Sequence, residues 1–135
     1  MVPAAAPLIA ERQFGAASLA DLRRLVLSLG EQAGLRRMRA DDLALIVYEL
    51  ATNAVRHGGG AGRLRAWLGL RAVYCQVADF GAGFTSQTAF GVRPSALSDH
   101  GRGLWLVESL ADRLIVANGH DASPTGAAVT ILVRR

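Results

Sequence analysis

The sequence holds 135 residues, 51% of them hydrophobic and 19% charged, with a formal net charge of +4. That is the length of one domain with enough chain to bury a core, and the apolar content with its small net charge excludes disorder. Collagen-like and coiled-coil chains are excluded by the lack of a sustained short repeat, and no run of about 18 apolar residues could span a membrane.

The segment 1–14 lacks a basic start and a continuous apolar centre, so no secretory signal is expected. A single cysteine cannot form an internal disulfide, and no Cys/His cluster has metal-ligand spacing, so the expected compartment is a reducing cytoplasm. All 15 basic residues are Arg. Apart from Arg36, Arg37 and Arg39 they are spread along the chain without interleaved aromatics, which gives no support for direct nucleic-acid binding. The absence of Lys rules out a P-loop, whose GxxxxGK[ST] pattern requires one.

Residues 8–14 alternate loosely and predict an edge strand ending at Phe14. Ser18 with Asp21 three residues later resembles a capping box, and Leu19, Leu22, Val26 and Leu29 recur at helical spacing until Gly34 stops the run. A basic linker from Leu35 to Arg39 is expected before a second helix over Asp41–His57. On that helix Leu43, Ile46, Val47, Leu50 and Ala54 share one face. Glu49, Asn53 and His57, at i, i+4 and i+8, form a polar stripe bordering the core face, a position better suited to a ligand than to bulk water.

After the glycine-rich turn 58–62, Leu64, Ala66, Leu68 and Leu70 predict one strand and Val73, Cys75 and Val77 the next, with a hairpin at Leu70–Ala72. Asp79-Phe80-Gly81-Ala82-Gly83-Phe84 follows directly. Residues 85–100 are aperiodic and predict a loop that acts as a lid. Gly101-Arg102-Gly103 leads into a helix beginning at Leu104. Leu114–Ala117 and Ala127–Val133 predict the last strands, with Asn118–Thr125 as a polar turn between them, and neither His100 nor His120 carries a functional signal. The whole of 1–135 is expected to form one domain of α+β class, a two-layer sandwich with helices on one face of a mostly antiparallel sheet.

Four segments stand out together: Glu49-x-x-x-Asn53, Asp79-x-Gly81-x-Gly83, Gly101-x-Gly103 and Gly126 at the last strand. Their order and flanks resemble the N, G1, G2 and G3 boxes of the GHKL ATP-binding superfamily, with its Bergerat fold. ELATNAVRHGG, DFGAGF and GRGLWLVESLADRL are most similar to the anti-sigma-factor serine/threonine kinases.

The resemblance implies ATP and Mg²⁺ as ligands. It makes Asn53 the Mg²⁺ ligand, Glu49 the general base one helical turn earlier, and Asp79 the acceptor for the adenine amino group. Gly81, Gly83 and Gly126 would let backbone approach the nucleotide, and Gly101 and Gly103 precede a helix whose N–H groups would hold phosphates. Arg102 either adds charge there or faces solvent; His57 orients Glu49 or lines the phosphate end, or is a hydrogen-bonded helix-end His.

The implied activity is transfer of the ATP γ-phosphate to a Ser or Thr of an anti-sigma-factor antagonist, with a sigma factor as second partner, a homodimer, and no membrane contact. The alternative is an ATP-dependent regulatory module without significant transfer. Two departures bear on this choice. The family's Gly-Thr is Gly126-Ala127 here, and with no Lys in the lid any charge contact must come from Arg93 or Arg102.

Overall fold

A computed structural model describes residues 1–81 and 102–135. In chain order these form β1 (Leu8–Gly15), a single 3₁₀ turn (Ala16–Ser18), α1 (Leu19–Gln32), α2 (Arg37–His57), β2 (Ala61–Leu68), β3 (Ala72–Asp79), α3 (Arg102–Leu110), β4 (Arg113–His120) and β5 (Ser123–Arg134). The strands make one antiparallel sheet in the order β1-β2-β3-β5-β4. The α+β architecture and the edge position of β1 agree with the sequence.

Strand alternation separates the two faces of the sheet. Leu64, Ala66, Val73, Cys75, Val77, Val129, Ile131 and Val133 lie in one buried cluster with the apolar faces of α1 and α2 and with Val107 of α3. Every residue of the expected α2 face is buried, and Ala40, Ala44 and Ala51 widen that face because α1 and α3 both contact α2. The sheet's other face mixes polar pairs with apolar ones: Gln76 donates to Thr130 at 3.3 Å and Arg65 pairs with Glu11 at 2.5 Å, while Tyr74 stands opposite Trp67 and Leu132.

Local chemistry moves several boundaries. Ser18 does not cap α1. Its hydroxyl accepts the Gly15 N–H at 3.0 Å and donates to the Gly15 carbonyl at 3.1 Å, closing the turn that ends β1, while Asp21 pairs with Arg24. The stop at Gly34 is as expected. Its φ of +89° lets the Gly34 N–H reach Glu31 O and the Leu35 N–H reach Gly30 O, a Schellman closure.

The basic linker is shorter than expected, with residues 33–36 alone joining α1 to α2. Arg37 to Arg39 form the first turn of α2, held by Arg37–Asp41 at 3.2 Å and Arg39–Asp42 at 2.7 Å. Arg39 also reaches Asp112 at 2.8 Å and the Leu110 carbonyl at 3.1 Å, which ties the start of α2 to the α3–β4 junction.

Leu70 is not a strand residue. β2 ends at Leu68, the Gly69 N–H closes a turn on Ala72 O, and Leu70 is 96% exposed at its tip. The α3 helix begins at Arg102 rather than Leu104. The polar turn expected over 118–125 contracts to residues 121 and 122, because β4 and β5 continue through polar residues that find partners elsewhere. Their register slips between Asn118 and His120, so Ala127 faces Asn118 while Ser123 faces His120.

Candidate ATP-binding site

The site is assembled where the C-terminal end of α2 meets the end of β3 and the start of β5. Glu49 and Asn53 are half-buried on α2 and His57 is exposed at its last turn. Among the described residues Glu49 has no ion-pair partner. The side-chain nitrogen of Asn53 is buried without a hydrogen-bond partner. Such an atom costs stability unless something else satisfies it.

At Gly58 the helix meets β3. The Phe80 N–H donates to the Gly58 carbonyl at 3.1 Å, so a carbonyl at the helix end is satisfied by the turn after β3. The approach is close: a Cβ on Gly81 would lie 2.7 Å from the Gly58 Cα, and a Cβ on Gly58 would collide with the Asp79 carboxylate. Glycine on both sides is therefore what brings the polar stripe of α2 up to Asp79.

Asp79 is the last residue of β3. Its Oδ1 accepts two backbone N–H groups, from Gly81 at 3.0 Å and from Ala127 at 2.9 Å. Oδ2 has no hydrogen-bond partner among the described residues, so one oxygen anchors the side chain and the other is free to accept. Gly126 stands against this turn: any Cβ there would collide with the Asp79 carbonyl and approach His120 Nε2 to 2.8 Å.

Residues that carried no signal in the sequence complete the arrangement. His120 Nε2 lies 2.5 Å from the Asp79 carbonyl, and the Thr125 hydroxyl donates to the Gly81 carbonyl at 3.2 Å. The departure at position 127 takes on a definite form here. Ala127 offers no hydroxyl, yet its backbone N–H is one of the two groups that fix Asp79.

The structure thus brings Asp79, Gly81 and Gly126 together, with Glu49, Asn53 and His57 on the adjoining helix. Arg102 and Gly103 form the start of α3. Gly83, Gly101, Arg93, His100 and the expected lid over 85–100 lie outside the described residues. No metal-ligating cluster occurs among the described residues, and none of their helices is long and apolar enough to cross a membrane.

The histidine kinase-like ATPase domain family matches residues 14–132, and the chain belongs to that family. Two solved structures with the same fold are the catalytic domain of the histidine kinase ThkA and the mycobacterial sensor histidine kinase MprB. ThkA is 15% identical with a TM-score of 0.55, covering 93% of this chain and 97% of that one. MprB is 16% identical with a TM-score of 0.56, covering 91% of this chain and 97% of that one. A search of curated proteins found no match. The chain is a GHKL-type ATPase domain with the five-stranded antiparallel sheet of that fold.

Proposed function

We propose that this single domain binds Mg²⁺-ATP and transfers its γ-phosphate to a Ser or Thr of a partner protein, in the manner of the anti-sigma-factor kinases. The observation that carries the reading is the Asp79 carboxylate, fixed at Oδ1 by two N–H groups and, among the described residues, unpartnered at Oδ2. A fixed acceptor suits an exocyclic amino group. Guanine would present a carbonyl there and leave two acceptors opposed.

The residues also fit the phosphate end. The buried amide of Asn53 lacks a partner, and a 180° rotation of the amide exchanges its nitrogen for a hard oxygen ligand. Asn53 would hold Mg²⁺, which supplies charge neutralisation at the phosphates. Glu49, one helical turn away on the same stripe, would orient the attacking hydroxyl and accept its proton. Gly101, Arg102 and Gly103 complete the proposed phosphate contacts, Gly83 would let the backbone approach the nucleotide, and His57 borders that end of the helix.

The partners of this reading are an anti-sigma-factor antagonist and a sigma factor, with a homodimer as the assembly and the cytoplasm as the compartment. One observation favours a second reading, a nucleotide-dependent switch with little transfer. Ala127 lacks a hydroxyl, and the nearby Thr125 hydroxyl is committed to Gly81. Incubation with labelled ATP, Mg²⁺ and candidate antagonists from the same genome separates the two: label on the antagonist supports the kinase, and nucleotide binding without transfer to any antagonist supports the switch.

A further inference from the structure

We propose that His120 is a positioning residue for base recognition, holding the backbone of Asp79 so that the free Oδ2 stays aimed at the adenine amino group. The inference rests on the ATP-site reading above and adds a residue to it. Asp79 closes β3 at the point where β3 and β5 stop pairing, their register ending at Ala78 opposite Ala128. The Asp79 carbonyl therefore has no ladder donor from β5 and must find one elsewhere.

His120 supplies it. Its side chain is only 5% exposed, and Nε2 lies 2.5 Å from that carbonyl. Its Nδ1 accepts the Ala122 N–H at 3.3 Å, so the proton is on Nε2 and the ring donates to Asp79. Phe80 packs a tilted ring against it with centroids 5.8 Å apart, and Gly126 leaves room for Nε2.

The hairpin tip carrying His120 is itself anchored. Asp121 accepts from the buried Arg63 at 2.6 Å and from Arg65 at 3.4 Å, both on β2. Arg63 and Arg65 thus hold Asp121, the neighbour of His120 in the chain, and the His120 ring holds the Asp79 carbonyl. The backbone carbonyl and the Oδ1 of Asp79 are each held by a different part of the β4–β5 hairpin, which leaves Oδ2 as the freely accepting atom.

The test compares His120→Gln, His120→Asn and His120→Ala with wild type, using calorimetric affinities for Mg²⁺-ATP and for the triphosphate of purine riboside, which lacks the amino group. Gln places an N–H₂ where Nε2 stands; Asn is too short to do so. The Gln variant is expected to keep the wild-type preference for ATP, and the Asn and Ala variants to lose it by on the order of tenfold, with the purine triphosphate affected little. Equal ratios in the Gln and Asn variants overturn the positioning role, and this pair decides the matter even where Ala prevents folding. A wild-type chain without any preference for ATP overturns the site reading itself, a result distinct from a preference that His120→Asn leaves unchanged.

Discussion

The backbone N–H of Ala127 donates to Asp79 Oδ1 at 2.9 Å, so the residue that replaces the family's usual Thr still orients the side chain expected to read the base. The hydroxyl is lost and the main-chain contact is kept. The departure at position 127 therefore leaves this contact to Asp79 in place.

Gly126 is where that geometry is most easily broken. A methyl group there meets the Asp79 carbonyl and the His120 ring, and backbone cannot yield as a flexible side chain can. Gly126→Ala is expected to destabilise the fold by about 1–3 kcal/mol and to weaken nucleotide binding. Chemical denaturation with and without Mg²⁺-ATP checks both effects.

The Arg39–Asp112 junction is expected to contribute to acid sensitivity. Burial alone would raise the Asp112 carboxyl, but the Arg134 N–H at 2.7 Å and the Arg39 guanidinium at 2.8 Å together hold it below its ordinary value of 3.8. A carboxylate depressed in the folded state adds stability that is fully present above 3.8 and is lost as pH falls through the lower folded value. Asp121, hydrogen-bonded by Arg63, is lowered to about 2 and acts in the same direction. Thermal melts from pH 5 down to pH 2 are expected to fall less steeply for Asp112→Asn than for wild type.

Cys75 is 1% exposed and in phase with Val73 and Val77, and burial pushes its thiol up to about 12. The native protein is expected to leave this thiol unmodified by an aromatic disulfide reagent at pH 8, with reaction only after unfolding. Rapid stoichiometric labelling of the folded chain contradicts the core assignment.

What the sequence made legible follows from local periodicity and short motifs. The α2 core face, the alternation at Val73, Cys75 and Val77, and the Asp79 turn each depend on residues within a few positions of one another. Long-range partners escaped. Arg39 extends α2 because Asp112, far along the chain, receives its charge, and no local pattern announces that pairing. Asn118 to Thr125 has the composition of a turn, yet Arg63 and the Asp79 carbonyl satisfy its polar groups and let the strands continue. For the same reason His120 carried no signal: its role depends on a register slip in β4–β5 that spacing does not encode. Ser18 stands at the N-cap position of α1 without a side-chain cap bond, because a hydroxyl before a helix can equally close the preceding turn.

The roles proposed for Glu49 and Asn53 separate chemistry from binding. Glu49→Gln is expected to leave Mg²⁺-ATP affinity nearly intact and to lower transfer to an antagonist on the order of 10²-fold or more. Asn53→Ala is expected to weaken Mg²⁺-dependent binding and transfer together. The two variants are compared in both assays, and a Glu49→Gln protein with undiminished transfer removes Glu49 from the mechanism.

The most direct test of the account is the titration of Mg²⁺-ATP into wild type and Asp79→Asn. In the variant Oδ1 can still accept from Gly81 and Ala127, but as a neutral acceptor, so the fold is expected to persist with a stability loss of about 1 kcal/mol. The amide nitrogen then replaces Oδ2 and sets donor against donor at the adenine amino group. The expected result is wild-type binding with an affinity loss of about 1–3 kcal/mol in Asp79→Asn. Equal affinity in two folded proteins would contradict the assignment of Asp79 as the adenine-reading residue and, with it, the site proposed here.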